Sequence, residues 1–175
     1  MKKYLLILAF LGLSAWAGAQ ERIPLLDRFQ GHRVSCHYKY SLSRDENPFK
    51  EVTSGSLLAE GNAFKLDGLG MEMRSNGAYR WSIDPEGKEV IVEEVGKNDI
   101  LANPAQILSS YKRYQHRIKV LSSSKDAITF TFQLDEDAIA HIELTDIVFS
   151  DPKGMADFTL DEKSLPEGYV VTDLR

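Results

Sequence analysis

A strict two-residue alternation constrains this chain more than any other feature. From Arg33 to Leu42, Val34, Cys36, Tyr38, Tyr40 and Leu42 fall on one side, while Arg33, Ser35, His37, Lys39 and Ser41 fall on the other. Successive side chains of an extended strand point to opposite faces, so this run has one face to bury and one to wet. The pattern keeps returning. Gly55–Ala59 reads as the next strand after a loop at Asn47-Pro48; Phe64 and Leu66 alternate with Ala63 and Lys65; Met71 and Met73 alternate with Glu72 and Arg74. Tyr79, Trp81 and Ile83 share a side, as do Val90 and Val92, and Ile128, Phe130, Phe132 and Leu134 oppose Thr129, Thr131 and Gln133. Further strands are read at Ala138–Leu144, Ala156–Leu160 and Tyr169–Asp173.

Turn residues punctuate these runs. Asn76-Gly77 signals a two-residue hairpin, because both central positions of a type I′ turn need positive φ. Gly68-Leu69-Gly70, Asp84-Pro85-Glu86-Gly87, Asp135-Glu136-Asp137 and Pro166-Glu167-Gly168 turn the chain again. Two places break the rhythm. Ile23–Phe29 can form a short helix after Pro24, and Pro104 can open a helix running to Tyr111, with Asn103 as N-cap and Ile107, Leu108 and Tyr111 on a narrow apolar face. There is no internal repeat and no linker. The expected architecture is mainly β: one curved antiparallel sheet of roughly nine to eleven strands with a few short helices.

The N-terminus has a different design. Met1-Lys2-Lys3 is a cationic start, Tyr4 to Trp16 an apolar run, and Ala17-Gly18-Ala19 a small-residue end, the layout of a secretory signal peptide. The run is shorter than the roughly 20 apolar residues a membrane span requires. No cysteine follows directly after Ala19, which disfavours a lipidated leader. The expected organisation is a signal peptide at 1–19 and one domain at 20–175, exported to the periplasm if the source has two membranes.

Composition and motifs exclude more than they point to. A chain with 43% hydrophobic and 27% charged residues can build a packed core. Twenty-one basic against 26 acidic side chains give a formal charge of −5 with no Lys/Arg stripe read to offset it, which argues against a nucleic-acid partner. The single cysteine, Cys36, excludes an intramolecular disulfide and any multi-cysteine metal cluster. His32, His37, His116 and His141 lack ligand spacing, so no metal is expected. Nucleophile-elbow, phosphate-loop and dinucleotide signatures are absent. Glu93-Glu94 and Asp135–Asp137 sit at strand ends or turns, where carboxylates are usually solvated. No catalytic residue and no cofactor is expected; were the chain an exported hydrolase, His37 or Asp67 would be the residues to test.

The large strand side chains suggest where a ligand could lie. Tyr38, Tyr40, Leu57, Phe64, Leu66, Met71, Met73, Tyr79, Trp81, Ile83, Val90, Val92, Phe130 and Phe132 are read as the apolar face of the curved sheet. Short helices can cover only part of so broad a face. Either the sheet closes on its own side chains or a cavity remains between sheet and helices. The two methionines suit variable apolar ligands, since their thioethers adapt in shape.

The order of motifs resembles that of a known family. Gly55-Ser56-Leu57-Leu58-Ala59, Ala63-Phe64-Lys65-Leu66 and Ser75-Asn76-Gly77-Ala78-Tyr79-Arg80-Trp81-Ser82-Ile83 come first, then Lys88-Glu89-Val90-Ile91-Val92 and Asn103-Pro104-Ala105-Gln106-Ile107-Leu108. Phe158-Thr159-Leu160 and Gly168-Tyr169-Val170-Val171-Thr172-Asp173-Leu174 close the series. This succession resembles the LolA family of periplasmic lipoprotein carriers over most of the mature chain. The resemblance implies an incomplete antiparallel barrel with a helical lid, formed here by Ile107, Leu108 and Tyr111, over an apolar cavity for lipoprotein acyl chains. It implies a monomer that takes lipoprotein from an inner-membrane ATP-driven releasing complex to an outer-membrane acceptor. A second reading is a non-transporting sensor or scaffold of the same fold. The chain departs from the family pattern at Glu60-Gly61-Asn62, where an Arg-Pro pair that latches the lid is expected, and in its short N-terminal helix.

Overall fold

The computed structural model describes residues 22–45, 47–96 and 104–175. The expected leader at 1–19 and the Asn103 cap lie outside the described residues. Among the described residues ten strands form one sheet: β1 (Arg33–Arg44), β2 (Lys50–Glu60), β3 (Ala63–Gly68), β4 (Met71–Ser75), β5 (Tyr79–Asp84), β6 (Glu89–Glu94), β7 (Ile118–Ser123), β8 (Ile128–Gln133), β9 (Ala138–Ser150) and β10 (Val170–Asp173). Their order is β10-β6-β5-β4-β3-β2-β1-β9-β8-β7, and the two edge strands are not paired with each other, so the sheet is open. Every pairing is antiparallel except the last, where β10 runs parallel to β6. Bulges at Tyr40/Ser41 and Ser35/His37 interrupt the central β1 ladders, and such insertions bend a strand.

The turns show how local chemistry sets the hairpins. Leu69 and Gly70 both have positive φ, and Gly68 pairs with Met71, so β3–β4 is a two-residue hairpin. The Asn76-Gly77 hairpin is wider than the two residues expected, with Ser75 pairing with Arg80. The Asn76 side-chain oxygen accepts from the Ala78 and Tyr79 N–H groups at 3.0 and 2.9 Å, and Gly77 supplies the positive φ. Asparagine here closes a side-chain turn of its own rather than a type I′ pair.

The helices are short: α1 (Pro24–Asp27), α2 (Pro104–Ser109) and α3 (Tyr111–Tyr114), followed by a 3-10 turn at Gln115–Arg117. Their apolar residues Leu25, Leu26, Ala105, Ile107, Leu108, Tyr111 and Tyr114 join Val34, Cys36, Leu57, Phe64, Phe130 and Phe132 in one core on one side of the sheet, called here the inner face. Full burial of each large side chain contributes about 1.5–3 kcal/mol, far more than so short a helix gains from its own hydrogen bonds.

Beyond β4 the sheet changes sides. Arg74 pairs with Trp81 and Met73 with Ser82, so Trp81 and Ile83 share the outer face with Lys65 and Glu72. Trp81, Ile83, Val90 and Val92 form a second buried cluster there, covered by Leu160, Leu165 and Tyr169 from the C-terminal segment. That segment is not the strand expected at Ala156–Leu160; it holds two 3-10 turns, Ala156–Phe158 and Glu162–Ser164, before β10. Phe158, rather than alternating with neighbours, is buried alone as an anchor.

A buried ion pair fixes where this segment starts. Arg33 and Glu60 are only 6% and 8% exposed. Arg33 donates to Asp157, lies 3.6 Å from Glu60, and faces the Phe158 ring at 5.2 Å. Glu60 in turn accepts from the Lys153 and Gly154 N–H groups, each at 3.0 Å.

Candidate functional site

The site is built from rows of residues that register places across the inner face. One row runs Val120–Phe130–Ile142–Tyr40–Thr53 through β7, β8, β9, β1 and β2. A second runs Leu144–Tyr38–Gly55–Gly68–Met71, and a third Cys36–Leu57–Leu66–Met73. The two glycines are required where they stand. A side chain at Gly68 would collide with the Tyr38 hydroxyl, and one at Gly55 with the Asp67 carbonyl. Tyr38 therefore lies across bare backbone, its hydroxyl 3.2 Å from that of Thr53. Burial raises the phenol pKa of both Tyr38 and Tyr40, so both stay neutral under physiological conditions.

The helices divide this face in two. Under them, Phe64, Phe130, Phe132 and Tyr111 are fully buried and the space is filled by the protein's own side chains. Beside them, Tyr40, Leu66, Met73, Val120 and Ile142 are only partly buried, and Met71 is 45% exposed. These six are the apolar residues of the three rows that stay partly accessible.

Polar contacts tie the helices down. The Tyr111 hydroxyl donates to Asp27 at 2.7 Å and Lys112 lies 2.9 Å from the same carboxylate, joining α3 to α1. Ser109 donates to Asn62 at 3.1 Å, so α2 is fastened to the β2–β3 turn. Asn62 thus supplies a helix contact from the β2–β3 turn. Hydrogen bonds from Lys112 and Tyr111 hold the Asp27 pKa below its ordinary value near 4. A carboxylate depressed in the folded state stabilises at pH above its ordinary value, and that contribution is lost as pH falls through the folded value. Hydrogen exchange in residues 24–27 and 111–114 should therefore speed up, beyond its intrinsic change, below about pH 4, and Asp27→Asn should remove the pH step. A step of the same size in Asp27→Asn would reject the latch.

Of the fourteen expected cavity residues, nine share the inner face: Tyr38, Tyr40, Leu57, Phe64, Leu66, Met71, Met73, Phe130 and Phe132. The expected lid residues Ile107, Leu108 and Tyr111 are buried against them. The other five do not belong with them. Tyr79, Trp81, Ile83, Val90 and Val92 pack on the outer face, with the Trp81 indole donating to Glu162 at 3.2 Å and Arg175 stacked 5.3 Å from the Tyr79 ring. Hairpin parity is the reason. Whether the turn holds two residues or four, Tyr79 and Trp81 share a side with the even-numbered Glu72 and Arg74, never with Met71 and Met73. Val120 and Ile142 were missed, although Ile142 alternates with Ala140 and Leu144.

Other candidate chemistry is spread over the outer face. His37 Nδ1 lies 3.2 Å from Asp146, and Ser56, its direct cross-strand neighbour, donates to Asp67 at 3.0 Å. In this arrangement the hydroxyl proton goes to Asp67 rather than to His37, and His37 and Asp146 are both largely exposed, so no nucleophile–base relay is assembled. Burial pushes the Cys36 thiol up to about 12, which leaves it a small protonated core residue at neutral pH. Among the described residues no group of three or more His, Cys, Asp or Glu is placed to hold a metal. The fold and this face define a mainly β, open-sheet domain with a few short helices packed on one apolar face. No protein-family model matches the chain, and no curated protein matches it.

Proposed function

We propose that the protein is a periplasmic carrier that shelters lipoprotein acyl chains between the inner and outer membranes, with neither catalysis nor cofactor. The observation that carries this reading is the partly accessible row of Tyr40, Leu66, Met71, Met73, Val120 and Ile142 beside short helices on the same face. An acyl chain laid along it removes methylenes from water at about 0.8 kcal/mol each, and movement of the short helices would extend the shelter over the filled half. The motif order that resembles the LolA family supports the same reading. In it, the donor is an inner-membrane ATP-driven releasing complex and the recipient an outer-membrane acceptor.

The filled space under the helices favours a second reading, a non-transporting sensor or scaffold that recognises lipid at its surface and signals to a protein partner. Native mass spectrometry of gently purified protein separates the two. The carrier is expected to carry acylated species that leave on activation; a protein consistently free of lipid and unable to extract lipoprotein from inner membranes would reject it.

A further inference from the structure

A second surface lies at the opposite side of the sheet, and it carries charge. A cleft of about 530 Å³ is lined by Phe49, His116, Arg117, Ile118, Lys119 and Leu121 with parts of β8 and β9. None of its lining residues is acidic. The sequence on its β7 side is equally one-sided: residues 111–125 contain Lys112, Arg113, Arg117, Lys119 and Lys125 and no Asp or Glu, in a chain whose formal charge is −5, while Asp135, Glu136 and Asp137 lie in the turn between Gln133 and Ile139 on the other wall. The 111–125 stretch is the basic run that the composition did not bring out. Arg117 is held in place by donating to the Gln133 carbonyl at 2.6 Å and to that of Leu134. Lys119 is exposed and makes no ion pair among the described residues. At the rim, Phe49 and Leu121 are 46% and 51% exposed.

We propose that this cleft docks the protein on the surface of a membrane rich in anionic phospholipid. Cations meet the lipid phosphates while Phe49 and Leu121 enter the boundary between headgroups and acyl chains. Each basic residue near an anionic leaflet strengthens binding about five-fold, and two exposed apolar tips add a second weak signal. The rest of the acidic molecule is repelled, so the cleft also sets the orientation of approach. When Phe49 turns into the lipid it uncovers His141, whose ring it faces at 5.3 Å and whose Nε2 is buried without a partner among the described residues. That nitrogen then gains access to a phosphate oxygen or to water.

The test uses the chain from Gln20 onward, which keeps every described element, with vesicles of phosphatidylcholine alone or mixed with phosphatidylglycerol. Co-sedimentation is expected with the mixed vesicles only, and to weaken as salt rises. Lys119→Glu, which removes a cation and adds an anion, is expected to lower partitioning about twenty-five-fold. Leu121→Ser should lower it several-fold. Lys163→Glu, an equal charge change on the C-terminal segment, should leave it unchanged. Met73→Asp should also bind as the parent does, which keeps docking separable from the acyl-chain reading. Equal partitioning onto both kinds of vesicle, or equal losses in Lys119→Glu and Lys163→Glu with both folded by circular dichroism, overturns the proposal. Complete release of the protein by inorganic phosphate at constant ionic strength also overturns it, by identifying a soluble-anion site.

Discussion

Met73→Asp is expected to weaken binding of a fluorescent fatty-acid probe about ten-fold without unfolding the protein. Met73 sits between Leu66 and Ser82 in register and is only partly buried, so the carboxylate can stay hydrated in the free protein. Its cost falls on the complex instead. An acyl chain along this row would give up contact with about two methylenes to avoid the charge, and at about 0.8 kcal/mol each that is a factor of about ten. Trp81→Phe serves as the opposite case. It removes the indole donor to Glu162 on the outer face and should leave probe affinity unchanged. Parent-like affinity in Met73→Asp, or an equal loss in Trp81→Phe, would remove the inner row from any account of lipid binding.

Arg33→Ala should cost about 3–5 kcal/mol of folding stability, read from the urea midpoint at constant slope. The size of the loss follows from what is left behind. Glu60 stays buried with its two backbone N–H donors and loses its cation, while the start of the C-terminal segment loses the guanidinium that meets Asp157 and the Phe158 ring. Replacing both members, Arg33→Met with Glu60→Gln, should recover much of the loss, because no charge then remains buried. A cost below about 1 kcal/mol for Arg33→Ala would place this pair with ordinary surface ion pairs and make it no anchor for the segment.

These two predictions concern opposite faces of one sheet, and the faces differ in how readable they were. Strand positions were legible wherever apolar and polar residues alternated: β1, β3, β4, β5 and β8 lie where the periodicity places them. The short helices at Pro24 and Pro104 were legible too, from a proline that fits the first helical turn. β7 was not read, because Leu121 to Ser124 break the alternation and its face is mostly exposed. The C-terminal segment was misread because Phe158 and Leu160, two residues apart, imitate a strand while packing on an existing sheet from a 3-10 turn.

The candidate site was half legible. Tyr40, Leu66, Met71 and Met73 are large apolar residues on strands, and the sequence marks them as such. It does not mark which side of the sheet each strand turns toward a ligand. Tyr79 and Trp81 alternate as cleanly as Phe64 and Leu66 do, yet they face away from them. Hairpin parity could have separated the two sets, since Tyr79 and Trp81 share a side with Glu72 and Arg74 for either turn length.

What the sequence by itself determined is most of the strands, most of the turns, the shortness of the helices, and the lack of a metal or nucleophile motif. These follow from interactions between near neighbours: side-chain alternation, proline's fixed φ and the local hydrogen bonds of asparagine and aspartate. Only the tertiary structure decided that the apolar surface changes sides after β4, that Arg33 and Glu60 anchor the C-terminal segment, and that the helices bury one part of the inner face more completely than the other. Each depends on register and packing between residues far apart in the chain, where one residue's slip exchanges the buried and solvated faces of a whole strand.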